Sequence, residues 1–359
     1  MPQLLLARCK KVNMNIAGMG IVFSGGRGIN CYDDALKHGW IEPENSCYHV
    51  KKESIIDKKI LGGIRRADKF SKMAVLASVD AVADSNVNFD KKKSSLGIIV
   101  STAFGPHVTT FRFLDDMLEY GDKNASPTIF SHSVHNAAAS YITSVLGSRG
   151  PSITLTQFAF SFHQALILAR AWLYEERCEY VLVGSVDECG IVMEYICSQK
   201  LRIAEDGRIK PFNFSETPVA VPGEGSAFFL MTRKKSHKKY CKITDISLAD
   251  KSVKKNKPDM CILDADGMGG DEREYQKAAE SGVCVSGYSP IFGSMMTGTS
   301  FNCASGALML KNQMRYISPV QDNPHSANIC TKTEKIDMER IHCIKYNCKK
   351  GKAVIELSL

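Results

Sequence analysis

The fold is most legible in the stretch Gly147-Ser148-Arg149-Gly150-Pro151-Ser152-Ile153-Thr154-Leu155-Thr156-Gln157-Phe158-Ala159-Phe160-Ser161-Phe162. Gly150-Pro151 punctuates the chain, because proline has no N–H to give and glycine resists regular structure. Ile153-Thr154-Leu155 then reads as a short strand, and Phe162 to Tyr174 as a long apolar helix. Tyr180-Val181-Leu182-Val183-Gly184 follows as a second, fully apolar strand. Continuous apolar strands separated by helices belong to α/β chains, whose sheets are covered on both faces.

The same alternation extends in both directions. Upstream, Met14 to Val22 reads as the first clear strand, and residues 1–13 as an extension ahead of it. Leu96-Gly97-Ile98-Ile99-Val100-Ser101 is a buried strand ending in a Gly/Pro loop. Thr109 to Tyr120 has helical spacing, with Phe113, Met117 and Tyr120 on one face. Ser126-Pro127 marks a turn, and Val134 to Leu146 reads as one further helix. Downstream, the polar, basic run Arg233 to Tyr240 separates two halves, 14–232 and 240–359. The second half carries strands at Met260–Leu263, Val283–Ser286 and Ala353–Leu357, a helix near Glu272 to Glu280, and an apolar segment from Phe301 to Leu310.

Composition narrows the function classes. The 359 residues are 44% hydrophobic and 23% charged, with a net charge of +8, values ordinary for a globular protein. No apolar run reaches the ~18 residues that a membrane span needs. At the N-terminus a short apolar patch precedes the basic residues, the reverse of a secretory signal. Thirteen dispersed cysteines, without C-x-x-C or zinc-finger spacing, fit a reducing cytoplasm and point to no metal or cofactor. The lysine clusters at 91–93, 234–235, 238–239 and 254–255 lack interleaved aromatics, which argues against nucleic acid. They read as solvated loops or as docking sites for an acidic partner.

Several segments resemble the β-ketoacyl synthases of the thiolase superfamily. Arg66-Ala67-Asp68-Lys69-Phe70 resembles the family's early R-x-D-[RK]-F helix, and Ser126-Pro127 through Asn136 to Gly150-Pro151-Ser152 its S-P…N…G-x-x-G-P-S stretch. Lys210-Pro211-Phe212 and Gly223-Glu224-Gly225-Ser226-Ala227 resemble R-P-F…G-E-G-A, and Val285-Ser286 to Gly293 is similar to V-S-S-x-K…G-H. The resemblance implies a thiolase-like, layered αβαβα fold of two similar halves.

It also implies a catalytic set: a cysteine activated at a helix N-terminus, two histidines that stabilise the enolate, and a supporting lysine. Here the cysteine slot falls on Ala159, the histidine slots on Asp266 and Ser294, and the lysine slot on Ser289. The family's C-terminal G-F-G-G-T-N loop is replaced by Asn347-Cys348-Lys349-Lys350-Gly351. A methyl group accepts no acyl chain, and a carboxylate repels an enolate. The expectation is therefore a non-condensing subunit, like the chain-length factor of type II polyketide systems. Its partners would be an active ketosynthase, or a second copy of itself, and acyl carrier protein. Chain-length factors usually carry glutamine in the cysteine slot, whereas Gln157 stands two residues early. Phe130-Ser131-His132-Ser133-Val134-His135-Asn136 resembles ketosynthase-like proteins of aryl-polyene clusters more closely, although Ser140 stands where those have glycine. A homodimeric acyl-binding protein and an acyltransferase with displaced catalytic groups are the alternative readings.

Phe111, Leu114, Ile129, Phe130 and Asn136 fall where the family's subunits meet and the partner's tunnel ends. Phe158, Phe160 and Phe162 either fill core or plug the acyl space. His132, His135 and His163 read as structural. The carboxylates of Asp264, Asp266 and Asp271 lack calcium-loop spacing, and Cys189 and Cys303 read as inert buried thiols.

Overall fold

The computed structural model describes residues 13–44, 47–87, 95–248, 257–349 and 351–359. The lysines at 91–93 and 254–255 lie outside the described residues. One chain-spanning sheet contains β1 (Met14–Phe23), β2 (Leu96–Thr102), β3 (Ser152–Thr156), β4 (Tyr180–Asp187) and β5 (Gly225–Thr232). From the second half it takes β6 (Lys242–Ser247), β7 (Met260–Leu263), β8 (Cys284–Ser286), β9 (Arg340–Tyr346) and β10 (Lys352–Ser358).

The spatial order in the first block is β1-β5-β4-β2-β3, and in the second β6-β10-β9-β7-β8. In both blocks the first, fifth, fourth, second and third strands therefore lie side by side. The pairings match as well. β2 runs parallel to β3 and β4, and β7 to β8 and β9. β5 and β10 are antiparallel to their neighbours on both sides. In the sheet the two blocks join through Met14 opposite Ile243 and Asn15 opposite Lys242.

Helices complete the layers. α6 (Ser161–Tyr174) touches β2, β3 and β4 on one side and β6 and β10 on the other. α9 (Thr299–Asn312) is likewise held between β5 and the strands β7, β9 and β10. Residues 299–310 of α9 are all buried, as expected of a helix enclosed between sheets. α2 (Lys69–Asp84) covers the outer face of the first block. It approaches closely because β1 offers glycines: a Cβ at Gly20 would lie 2.0 Å from Ala77 O, and one at Gly18 2.2 Å from Ala81 O. Asp68 caps α2 by accepting the Ser71 N–H at 2.9 Å. α8 (Glu272–Ala279) covers the second block through Tyr275 and Ala279. The result is the layered α/β arrangement expected from the sequence.

One local expectation is refined. Val134 to Leu146 holds the expected helix, which starts at Ala137 (α5, Ala137–Leu146), but the Ser126-Pro127 turn opens a further short helix, α4 (Pro127–Ser133), and Val134 is extended at ψ 142° between the two. The β-branched Val134 between two histidines makes a corner that the apolar spacing does not reveal. The segment expected to be apolar from Phe301 to Leu310 is the body of α9.

Candidate functional site

The turn between β3 and α6 carries Phe158-Ala159-Phe160. Ala159 is half-buried at the helix entrance and offers only a methyl group. The three phenylalanines separate in space. Phe158 is 61% exposed and packs on Phe104, with ring centroids 5.4 Å apart. Phe160 is buried edge-on against His163 at 5.7 Å, and Phe162 fills the central core against Phe229 at 5.6 Å. Phe162 is thus core, and Phe160 closes the space behind the turn.

Asp266 and Ser294, the residues expected in the histidine slots, do meet. Ser294 Oγ donates to the Asp266 carbonyl oxygen and accepts the Val221 N–H at 3.0 Å. The Asp266 carboxylate accepts the N–H groups of Met268 at 2.9 Å and Met295 at 3.0 Å. Burial pushes its pKa up to about 6, opposed by nearby Lys345 and assisted by Asp264. Ser289 is fully buried, with its Oγ unpartnered among the described residues, so it supplies no charge to the site.

The charge comes instead from Lys345 on β9. Its Nζ donates to Asp264 Oδ2 at 2.7 Å. Burial opposes this cation, but Asp264 and Asp266 outweigh burial and raise its pKa above the ordinary lysine value. Asp264 also accepts from Thr299 Oγ1 at 2.6 Å and Asn302 Nδ2 at 3.1 Å. Asp187, at the end of β4, accepts from Thr102 Oγ1, the Ala103 N–H and Thr297 Oγ1 at 2.7, 2.9 and 2.9 Å. Burial holds its pKa above the usual carboxylate value. His163, in the first turn of α6, is fully buried, and neither ring nitrogen has a partner among the described residues. Burial, and then the charge of Lys345, lower its pKa to about 3, so the ring is neutral.

Lys345 escapes a reading by family position, because the family's lysine slot lies at Ser289. A signal exists nonetheless: Ile341, Cys343 and Lys345 alternate onto one face of β9, and a lysine inside an apolar strand demands a buried partner. Asp187 and Thr297 give no comparable signal. Asp271 turns away from the site to cap α8 by accepting the Glu274 N–H. Cys303 is buried in α9, and burial pushes its thiol far above the ordinary range, which leaves an unreactive thiol.

The expected contact residues occupy another face. Leu114 on α3 (His107–Tyr120) and Phe130 on α4 are 46% and 54% exposed. Phe113 stacks obliquely on Phe130 at 5.4 Å. Phe111 and Ile129 are half-buried beside them, and Asn136 is exposed at the start of α5. His132 Nε2 hydrogen-bonds with the Tyr141 hydroxyl, and the His135 ring lies against Gly105. The edge strand of the sheet nearest them, β3, is largely exposed.

A model of the β-ketoacyl synthase N-terminal domain matches residues 47–237, more than half of the chain. The chain belongs to the β-ketoacyl synthase family. Solved structures with the same fold include the ishigamide ketosynthase/chain length factor, which is 13% identical with a TM-score of 0.80, 97% of this chain and 99% of that one being covered. A β-ketoacyl synthase from Burkholderia phymatum is 15% identical, with a TM-score of 0.76 and the same coverage. A type II polyketide ketosynthase in complex with its acyl-carrier protein is 12% identical, also with a TM-score of 0.76, 97% of this chain and 99% of that one being covered. Among curated proteins, a polyunsaturated fatty acid synthase component from Thraustochytrium is 24% identical over 153 residues, which is 42% of this family member and 7% of that much longer protein. No helix among the described residues is long and apolar enough to cross a membrane.

Proposed function

We propose that this β-ketoacyl synthase relative is a non-condensing subunit, akin to a chain-length factor, that pairs with an active ketosynthase in fatty-acid or polyketide synthesis. The observation that carries the reading is the replacement of the catalytic set by a buried ion pair. Lys345 and Asp264 hold each other, Asp266 and Ser294 stand in the histidine slots, and Ala159 stands in the cysteine slot. Such a constellation offers no acyl acceptor and no donor pair for an enolate. In this reading 14–232 and 240–359 are the two halves and 1–13 an extension.

Two surface features favour a partner. β3 leaves one row of its backbone groups unpaired at the sheet edge, and such edges are normally covered or protected. Ile153 and Phe158 on and after β3, and Leu114, Leu118 and Phe130 on α3 and α4, are exposed apolar side chains, and such exposure favours an interaction surface. Phe111 and Ile129 would then contribute volume that limits a shared acyl tunnel. A cavity of about 490 Å³ is lined by Ile55, Ile56 and Leu61 together with Asp57, Lys58, Arg65 and Lys72. Its excess of basic side chains suits encounter with an acidic acyl carrier protein.

The test is native mass spectrometry after co-expression with an intact ketosynthase from the same source. The expected result is a one-to-one complex whose condensing activity disappears only when the partner's cysteine is mutated. A homodimer that ignores the ketosynthase would refute the heterodimer, and lipid retained on it would favour the acyl-binding alternative.

A further inference from the structure

Outside the former catalytic site, a second group of chemistry-bearing side chains converges from two distant segments. Cys47 and His49 lie on an extended segment whose middle residue, Tyr48, pairs with Gly223. Glu194 lies in the first turn of α7 (Ile191–Lys200), and Cys189 just ahead of it. Cys47 Sγ, one ring nitrogen of His49 and one carboxylate oxygen of Glu194 lie mutually within 4.8 Å. Cys47 Sγ is 3.9 Å from His49 Nδ1, and His49 Nε2 is 3.3 Å from Glu194 Oε1. The Cys189 thiol lies against Cys47.

We propose that Cys47, His49 and Glu194 form a binding site for a divalent transition-metal ion of the zinc type, with the fourth position open to water. The donor set is the argument. A sulfur, an imidazole and a carboxylate suit a borderline-soft cation, and calcium or magnesium would want oxygen alone. Tetrahedral zinc, with bonds of ~2.0–2.3 Å, sets its donors roughly 3.3–3.8 Å apart, so donor atoms that all lie within 4.8 Å of one another would draw together on binding.

The surroundings have the form of a supporting shell. Behind His49, Glu224 Oε1 stands 3.5 Å from Nδ1, the carboxylate–histidine arrangement that fixes a metal-binding ring. Glu224 is in turn held by the N–H groups of Val50 and Cys189 at 2.7 and 3.1 Å and by Lys69. His49 and Glu194 are part-exposed, at 28% and 36%, which leaves an entry path from solvent. The spacing C-x-H followed much later by a lone glutamate matches no zinc-finger pattern, so the site has no signature along the chain. It is independent of the subunit reading, because neither Ala159 nor the Lys345 pair takes part.

The test uses the full chain with zinc(II) and cobalt(II) as probes. The expected result is one zinc per chain after gel filtration, and a near-ultraviolet thiolate-to-cobalt band that Cys47→Ser weakens or abolishes. His49→Ala and Glu194→Gln should each lower zinc affinity at least ~10-fold, while Cys348→Ser, at an exposed thiol, changes nothing. A cobalt band or a zinc affinity untouched by these substitutions overturns the site. Because Cys47 is buried and its replacement can impair folding, X-ray absorption of the wild-type zinc complex supplies the second measurement. It should show sulfur at ~2.3 Å, and a shell of nitrogen and oxygen alone would refute the proposal.

Discussion

Lys345 Nζ and Asp264 Oδ2 are 2.7 Å apart, and only 7% and 1% of their side chains reach solvent. This pair lies beside Asp266, whose backbone carbonyl accepts from Ser294. Two charges taken out of water at such cost hold one another and leave little freedom for a reacting group.

Removing one partner of the pair should be severe. Lys345→Met leaves Asp264 buried and uncompensated, which costs about 3–5 kcal/mol in such settings. Adding Asp264→Asn should recover part of that loss, because the stranded charge is gone. Urea unfolding of both single variants and the double variant measures this, and strictly additive losses would show that the two side chains do not interact.

Stability should respond to pH through two buried groups with opposite slopes. The Asp266 pKa is raised from 3.8 to about 6, so its contribution is complete below pH 3.8 and is lost as pH rises through 6. His163 is lowered from 6.5 to about 3, so its contribution is complete above 6.5 and is lost as pH falls towards 3. Asp266→Asn should flatten the first trend, by on the order of 2–3 kcal/mol across that window, and His163→Phe the second. Unfolding curves taken at several pH values decide it, and variant profiles parallel to wild type would contradict both assignments.

Restoring the nucleophile alone should not restore condensation. Ala159→Cys places a thiol at the entrance of α6, where the helix dipole favours a thiolate, so alkylation by iodoacetamide is expected. Condensation of acyl and malonyl thioesters should stay at background, because Asp266 and Ser294 offer no histidine pair. A ketoacyl product from the single variant would show that these side chains suffice.

The exposed apolar face should matter for assembly and not for folding. Leu118, on α3, and Ile153, on β3, are 86% and 39% exposed. Leu118→Asp and Ile153→Lys should therefore leave the melting temperature nearly unchanged. Each should weaken pairing with the partner subunit by ~10-fold or more if it falls in the interface core. Analytical ultracentrifugation of the co-purified complex provides the measurement.

Much of the scaffold is legible in the sequence because its strands are buried on both faces and so appear as unbroken apolar runs, as at Tyr180–Val183 and Met260–Leu263. α6 and α9 are legible as apolar stretches for the same reason, being enclosed between sheets. The corner at Val134 is not, because a single extended residue between two short helices leaves the apolar spacing intact. In the site, Ala159, Asp266, Ser289 and Ser294 are found by position relative to Gly150-Pro151-Ser152 and the later family segments. The structure brings Asp266 and Ser294 into direct contact.

Residue type, periodicity and order along the chain are local facts. They are enough to set the family and the α/β pattern, and they are the whole basis for reading Ala159, Asp266, Ser289 and Ser294 in the catalytic slots. What surrounds those residues depends on the three-dimensional fold. Lys345 reaches Asp264 across 81 residues of sequence, through strands β7 and β9 that lie side by side. The fold, likewise, brings Cys47 and His49 to Glu194. Neither meeting has a signature at short range, because a buried charge or a metal donor chooses partners by distance in space, and the folded chain alone sets those distances.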